Sequence, residues 1–164
     1  MLDLYIKVYK KAALLHILYA VDYIAVGYCA VSLGYLAWSL FVRDPIIALR
    51  LLLSLLISFV AVSVFRRVLN APRPYELYDF SSVGLTPPRA KKGRSFPSRH
   101  VHSAAVISTS LFVINPVMGI VGEVLSLLLA ASRVLRGIHF VRDVVAGMLT
   151  GVISGAIAIL FIYI

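Results

Sequence analysis

The sequence predicts an all-α fold, a polytopic transmembrane helical bundle of five spans plus an N-terminal interfacial helix or short sixth span. Composition is the first reason. Of 164 residues, 61% are hydrophobic and 14% charged, and the mean hydropathy is +0.96, far from the balance of a soluble domain. The second reason is that the apolar residues come in runs near the roughly 20 residues needed to cross a bilayer core. The third is that one long polar connection, rich in Pro and Gly, interrupts them. A single membrane-embedded domain, 1–164, accounts for the whole length.

From the N-terminus, Leu2 to Tyr19 carries apolar residues at helical spacing with Lys7, Lys10, Lys11 and His16 between them, the pattern of a helix lying in the interface. Lys7, Lys10 and Lys11 followed by Ala12 to Ala20 resemble a signal peptide, but apolar sequence resumes after Asp22-Tyr23 without a cleavage site, so no removal is expected. Spans follow at about Tyr23 to Val42 and Pro45 to Leu69. Asn70 to Phe96 holds Pro72, Pro74, Pro87, Pro88, Gly84 and Gly93 with Arg89, Lys91, Lys92 and Arg94, and reads as a loop at the membrane surface. Its Tyr75, Leu77, Tyr78 and Phe80 either dip among headgroups or pack locally. A shorter, Ser-rich span, about Ser98 to Ile114, is bounded by Pro97 and Asn115-Pro116. Val117 to Leu135 and Val141 to Ile164 complete the set. If the span ending near Leu69 exits on one side, this threading places Arg66, Ser98, Arg133 and Val141 on the same membrane face.

The formal charge of +9 does not point to nucleic acid, because the basic residues sit between apolar runs and form no stripe with interleaved aromatics. Anionic lipids or phosphorylated substrates fit better. Cys29 is the only cysteine, which excludes an intramolecular disulfide and a cysteine metal site.

Three segments carry chemistry. His139 and Asp143 are four residues apart at a helix start, hence on one face. Asp143 can accept the proton of one ring nitrogen and leave the other free to attack phosphorus; alone, the two are equally readable as a structural pair at a membrane boundary. Arg133 stands one tight turn away through Gly137, and its fork can bind two phosphate oxygens at once. In Pro97-Ser98-Arg99-His100, Ser98 suits a helix N-cap, whose free N–H groups bind anions, and His100 can protonate a leaving oxygen. His102 points away from His100 and reads as interfacial. Arg66 and Arg73, the latter held by Pro72 and Pro74, add cations, while Arg67 reads as a headgroup-facing charge. No cluster has metal-ligand spacing, so neither metal nor other cofactor is expected. Arginines and a helix terminus would supply the electrostatic stabilisation of phosphoryl transfer.

Two further features are structural. Gly147, Gly151 and Gly155 recur every four residues and allow close helix packing, within the monomer in preference to a homodimer seam. Glu123 and Arg50, at similar depth in their spans, are expected to form an ion pair remote from the site.

The three segments resemble the signature of the type 2 phosphatidic acid phosphatase family: Lys, six residues, Arg-Pro; then Pro-Ser-Gly-His; then Ser-Arg, five residues, His, three residues, Asp. Arg66 to Arg73-Pro74, Pro97 to His100, and Ser132-Arg133 to His139 and Asp143 carry the match. The last agrees at every fixed position. The resemblance implies that His139 forms a phosphohistidine, Asp143 orients it, His100 protonates the leaving group, and Arg66, Arg73, Ser98, Arg99 and Arg133 hold the phosphate. Arg66 replaces the usual Lys, keeping charge in a planar fork. Arg99 replaces the usual Gly, which bears on substrate choice by adding a contact or reaching a diphosphate.

The expected substrate is a membrane lipid phosphate. An isoprenoid diphosphate such as undecaprenyl diphosphate ranks first, because the chain is small, lacks a large recognition loop and has extra cations. Phosphatidylglycerol phosphate, phosphatidic acid and a phosphorylated glycolipid follow. A non-catalytic lipid-binding or transporter-type protein is the reading from another class, and it needs no histidine oriented by an aspartate. Oxidative enzymes of the vanadate-binding kind have a similar site but are soluble. A cell-membrane, multi-pass location is expected. Of 16 Lys and Arg residues all but Arg43 and Arg50 lie toward the site face, which by the positive-inside rule favours the cytoplasm, whereas undecaprenyl diphosphate recycling in this family faces outward.

Overall fold

The computed structural model describes residues 2–78 and 92–163; the expectations for Phe80, Pro87, Pro88, Arg89 and Lys91 fall outside them. Every regular element described is a helix: α1 (Leu2–Tyr9), α2 (Ala12–Arg43), α3 (Pro45–Leu69), α4 (Pro74–Leu77), α5 (Arg99–Leu111), α6 (Pro116–Leu135) and α7 (Val141–Ile162). The boundaries follow local chemistry. The Asp44 Oδ1 accepts the N–H groups of Ile46 and Ile47 ahead of Pro45, and the Asn115 Oδ1 accepts that of Met118 ahead of Pro116, each a side-chain N-cap followed by Pro at the first helical position. Asn70, in the left-handed region at φ 43°, ends α3.

Four helical stretches are long and apolar enough to cross a membrane, those containing α2, α3, α6 and α7. Their outward side chains, such as Trp38, Ile57, Leu127 and Leu160, are exposed, as lipid-facing residues must be. The protein is therefore a multi-pass membrane protein.

Two expectations about the helices change. The N-terminal stretch is not one helix over Leu2 to Tyr19. It breaks at Lys10-Lys11, and from Ala12 onward it is the start of α2. Asp22 does not interrupt α2, because its buried carboxylate is paired with Arg133 and Arg136 at the end of α6. The Ser-rich segment is a 13-residue helix followed by turns, about 20 Å long at 1.5 Å per residue. It lies inside the bundle, packed against α7, α6, α2 and α3. Its serines thus serve close packing within the protein.

Small residues make that packing possible. A Cβ on Gly147 would lie 2.6 Å from the Ser98 carbonyl oxygen, one on Gly151 2.7 Å from the His102 carbonyl oxygen, and one on Gly155 2.6 Å from Thr109 Cβ. The stripe on α7 accordingly seats α5 within the monomer. Leu36, Leu51, Leu111 and Ile162 fill the far end of the bundle, and Ala25, Val101, Leu129 and Val144 the core beneath the polar end.

Three side chains behave differently from their sequence readings. His102 is not interfacial. It is buried, with Nε2 on the Ser58 hydroxyl at 2.9 Å and Nδ1 on the Thr150 hydroxyl at 3.1 Å, linking α3, α5 and α7. Glu123 and Arg50 form no ion pair, and Glu123 accepts a 2.8 Å hydrogen bond from Thr109. The helices that carry them, α3 and α6, do not form one of the bundle's principal contacts, so equal depth does not bring the side chains together.

Candidate active site

α3 ends, α5 begins, α6 ends and α7 begins at the same end of the bundle, and the loop residues 92–98 fold over that end. Gly137, at φ 65°, makes the turn from α6 to α7, the left-handed conformation glycine adopts without cost. Gly93, at φ 67°, passes so close to Asn70 that a Cβ would fall 2.3 Å from its Oδ1. Glu76 in α4 ties down the same loop: its Oε1 accepts the N–H of Arg73 at 2.9 Å and that of Gly93 at 2.7 Å.

His139 lies in the turn before α7, 2% exposed, and Asp143, in the first turn, is fully buried. Asp143 Oδ2 accepts the Phe140 N–H at 3.0 Å, and the Asp143 carbonyl accepts the Ser98 N–H at 2.8 Å. This carboxylate therefore caps its own helix, and the same residue docks the start of α5. The His139 Nδ1 to Asp143 Oδ2 distance is 3.5 Å, longer than a normal hydrogen bond. Ser95 fills the gap. Its buried hydroxyl is 3.2 Å from His139 Nδ1 and donates to Asp143 Oδ2. Sequence reading missed Ser95, since a serine before Phe-Pro carries no signal of its own. Burial, with Arg73 and Arg66 nearby, pushes the His139 pKa down to about 4 against the opposing pull of the Asp143 carboxylate. The imidazole is thus neutral at physiological pH, and among the described residues nothing hydrogen-bonds its Nε2.

The cations surround this ring. Arg73 donates from Nε to the Gly93 carbonyl at 3.0 Å and from Nη1 to the Ile138 carbonyl at 3.4 Å, beside His139. Arg66 is buried and donates to the carbonyls of Arg94, Ser95 and Pro97. Its planar fork braces the segment that delivers Ser95 and Ser98, work for which the single point charge of a lysine is less suited. Arg67 is exposed. Ser98 stands at the N-cap position of α5, buried, and among the described residues its Oγ has no hydrogen-bond partner. His100 lies within electrostatic range of Arg133, Arg99, His139 and Arg66. Arg99 rests its guanidinium 5.2 Å from the centre of the Phe59 ring. Both line a crevice of about 200 Å³ with His100, Val26, Cys29 and Leu129.

Arg133 reaches the site from the last turn of α6, and its Nη2 is 3.3 Å from Asp22 Oδ2. Asp22 and Arg136 were missed in sequence. An acidic residue inside an apolar run is the signal that singled out Glu123, and it applied equally to Asp22.

Every residue of the three sequence segments thus gathers at one end of the bundle. No curated protein matches the chain. Among solved structures it is similar to Aquifex aeolicus LpxE, at 25% identity and a TM-score of 0.73, covering 98% of this chain and 94% of that one. It is also similar in fold to a transmembrane PAP2-type phosphatidylglycerolphosphate phosphatase from Bacillus subtilis, at 21% identity and a TM-score of 0.70, covering 92% and 77%. The family model of the PAP2 superfamily matches residues 47–163, well over half of the sequence, and the chain accordingly belongs to that superfamily.

Proposed function

We propose that the protein removes phosphate from a membrane lipid phosphate or diphosphate, without a metal, through a phosphohistidine at His139. The observation that carries this reading is the buried, neutral imidazole backed through Ser95 by Asp143, with Arg66 and Arg73 near it and Arg133, whose carbonyl accepts the His139 N–H at 3.2 Å, in the turn that delivers it. His139 Nε2 attacks phosphorus while Nδ1–H is held toward Ser95 and Asp143. The bond from phosphorus to the leaving oxygen breaks, and His100, protonated once the anionic phosphate is bound beside it, gives that oxygen its proton. Water then attacks the phosphohistidine, His100 takes back a proton, and inorganic phosphate and neutral His139 result. Arg66, Arg73, Arg99, Arg133 and Ser98 at the start of α5 stabilise charge on the equatorial oxygens.

The crevice beside His100 supports a substrate whose reacting phosphate sits at the polar end while an apolar chain lies between helices. Among such lipids an isoprenoid diphosphate of the undecaprenyl kind is ranked first, with phosphatidylglycerol phosphate, phosphatidic acid and phosphorylated glycolipids behind it. Extra cations, Arg99 above all, suit a second phosphate. The location proposed is the cell membrane, with the enzyme acting as a monomer.

The test is phosphate release by purified protein in detergent with chelator present, across these lipids, for wild type and His139→Ala. Release that survives chelation, is blocked by orthovanadate and vanishes in the variant is the expected result. Binding of the same lipids without release by folded wild-type protein would support a headgroup-binding protein instead.

A further inference from the structure

The acidic residue that matters inside the spans is Asp22 on α2, which lies before residue 47 and so outside the family match. Asp22 is 7% exposed, and its carboxylate takes two cations from the end of α6: Arg133, in the last turn, through Nη2 at 3.3 Å and Arg136, the C-cap residue, through Nη1, both on Oδ2. The other oxygen, Oδ1, faces the Ser132 hydroxyl at 2.9 Å, and that hydroxyl also reaches the Leu18 carbonyl at 2.9 Å. Arg136 has a second anchor: its guanidinium lies 3.9 Å from the centre of the Tyr19 ring, and its carbonyl accepts the Tyr9 hydroxyl at 3.1 Å. Arg133 meets Asp22 through Nη2. In both arginines Nε is buried without a hydrogen-bond partner among the described residues.

Arginines three residues apart on a helix are neighbours, and two buried guanidiniums on one turn repel. A guanidinium also has five N–H groups in a rigid fork. A carboxylate on one edge fixes the plane and leaves the opposite N–H groups aimed elsewhere. We propose that Asp22 is the positioning residue for Arg133, holding its fork toward the phosphate beside His139 while Arg136 serves as a structural counter-cation. The inference rests on the reading of Arg133 as a phosphate ligand, and it assigns a role in that site to α2 and, through Tyr9, to α1.

The experiment measures the affinity of purified full-length protein in detergent for orthovanadate, read as a ligand-induced rise in unfolding temperature, alongside phosphate release. Asp22→Asn is expected to weaken vanadate binding about 10-fold or more, the scale of one charge-assisted hydrogen bond, and to raise KM more than it lowers kcat. Asp22→Glu keeps the compensating charge and hence the fold, but shifts the carboxylate by one methylene. It is expected to weaken binding by a smaller factor at an unchanged unfolding temperature. In an Arg133→Ala background, Asp22→Glu should cost nothing further, the non-additivity of residues acting as a unit. Vanadate affinity unchanged in folded Asp22→Glu and Asp22→Asn, or a loss that persists undiminished without Arg133, overturns the proposal. Wild type that binds vanadate but releases no phosphate would reject the catalytic reading and leave the positioning role standing on the affinity data.

Discussion

Replacing Ser95 by Ala removes one hydroxyl from the most buried part of the site. In the wild type, Asp143 Oδ2 accepts from Ser95 and from the Phe140 N–H at 3.0 Å, while Oδ1 has no hydrogen-bond partner among the described residues and lies 3.7 Å from Arg142 Nε. The variant carboxylate therefore loses one of its two hydrogen bonds, and nothing described replaces it. A hydrogen bond to a charged group contributes about 1.5–3 kcal/mol. Approach of His139 Nδ1 from 3.5 Å to a normal bonding distance would recover part of that. A net loss of about 2 kcal/mol in orienting the imidazole corresponds to a roughly 30-fold fall in kcat/KM. The assay is steady-state phosphate release with the best lipid, paired with a thermal melt to show that the variant is folded. Asp143→Asn is the reference, expected to lose on the order of 10³–10⁴ because a carboxylate that fixes the tautomer is gone. Wild-type kcat/KM in folded Ser95→Ala would refute the reasoning, since it would mean that the 3.5 Å pair suffices without the bridging hydroxyl.

Further outcomes follow from the same geometry. Gly147→Ala places a Cβ 2.6 Å from the Ser98 carbonyl oxygen, a backbone atom at the start of α5; overpacking of this kind costs about 1–3 kcal/mol, and displacement of Ser98 and His100 should cut kcat as much as about 100-fold. Gly27→Ala, where nothing lies within 4 Å, is the control, expected to match wild type in melting temperature and activity. The His139 pKa, lowered by burial to about 4, keeps the nucleophile neutral above that pH, so the acid limb of kcat/KM assigned to His139 should fall near pH 4. Its linkage sign is that of a buried neutral histidine: stability is fully present above the unfolded value near 6.5 and is lost as pH falls from there toward about 4. Melts at a series of pH values, comparing wild type with His139→Asn, should show a shallower slope in the variant, by the share of the one histidine removed.

Much of this protein was legible in its linear order because two strong periodic signals do not depend on context. Apolar runs near 20 residues must be membrane helices, since lipid leaves no other way to satisfy the backbone. Pro45, Asn115-Pro116 and Gly137 punctuate them through local chemistry. Threading alone then put Arg66, Ser98, Arg133 and His139 on one face. The i, i+4 spacing brought His139 toward Asp143, and the three motifs with their single departures, Arg66 and Arg99, pointed to the family. What tertiary structure decided is which side chains meet across helices. Ser95 lies between His139 and Asp143 because Arg66 pins the carbonyls of its loop. Asp22 passes through α2 without ending it because the end of α6 supplies Arg133 and Arg136, while Glu123, inside α6, is met by Thr109. His102 is buried because Gly147, Gly151 and Gly155 bring α7 against α5. Spacing along a chain fixes which residues share a helix face, but the partner of a buried polar group is set by the rotation and approach of the neighbouring helix, and those depend on the packing of all the helices at once.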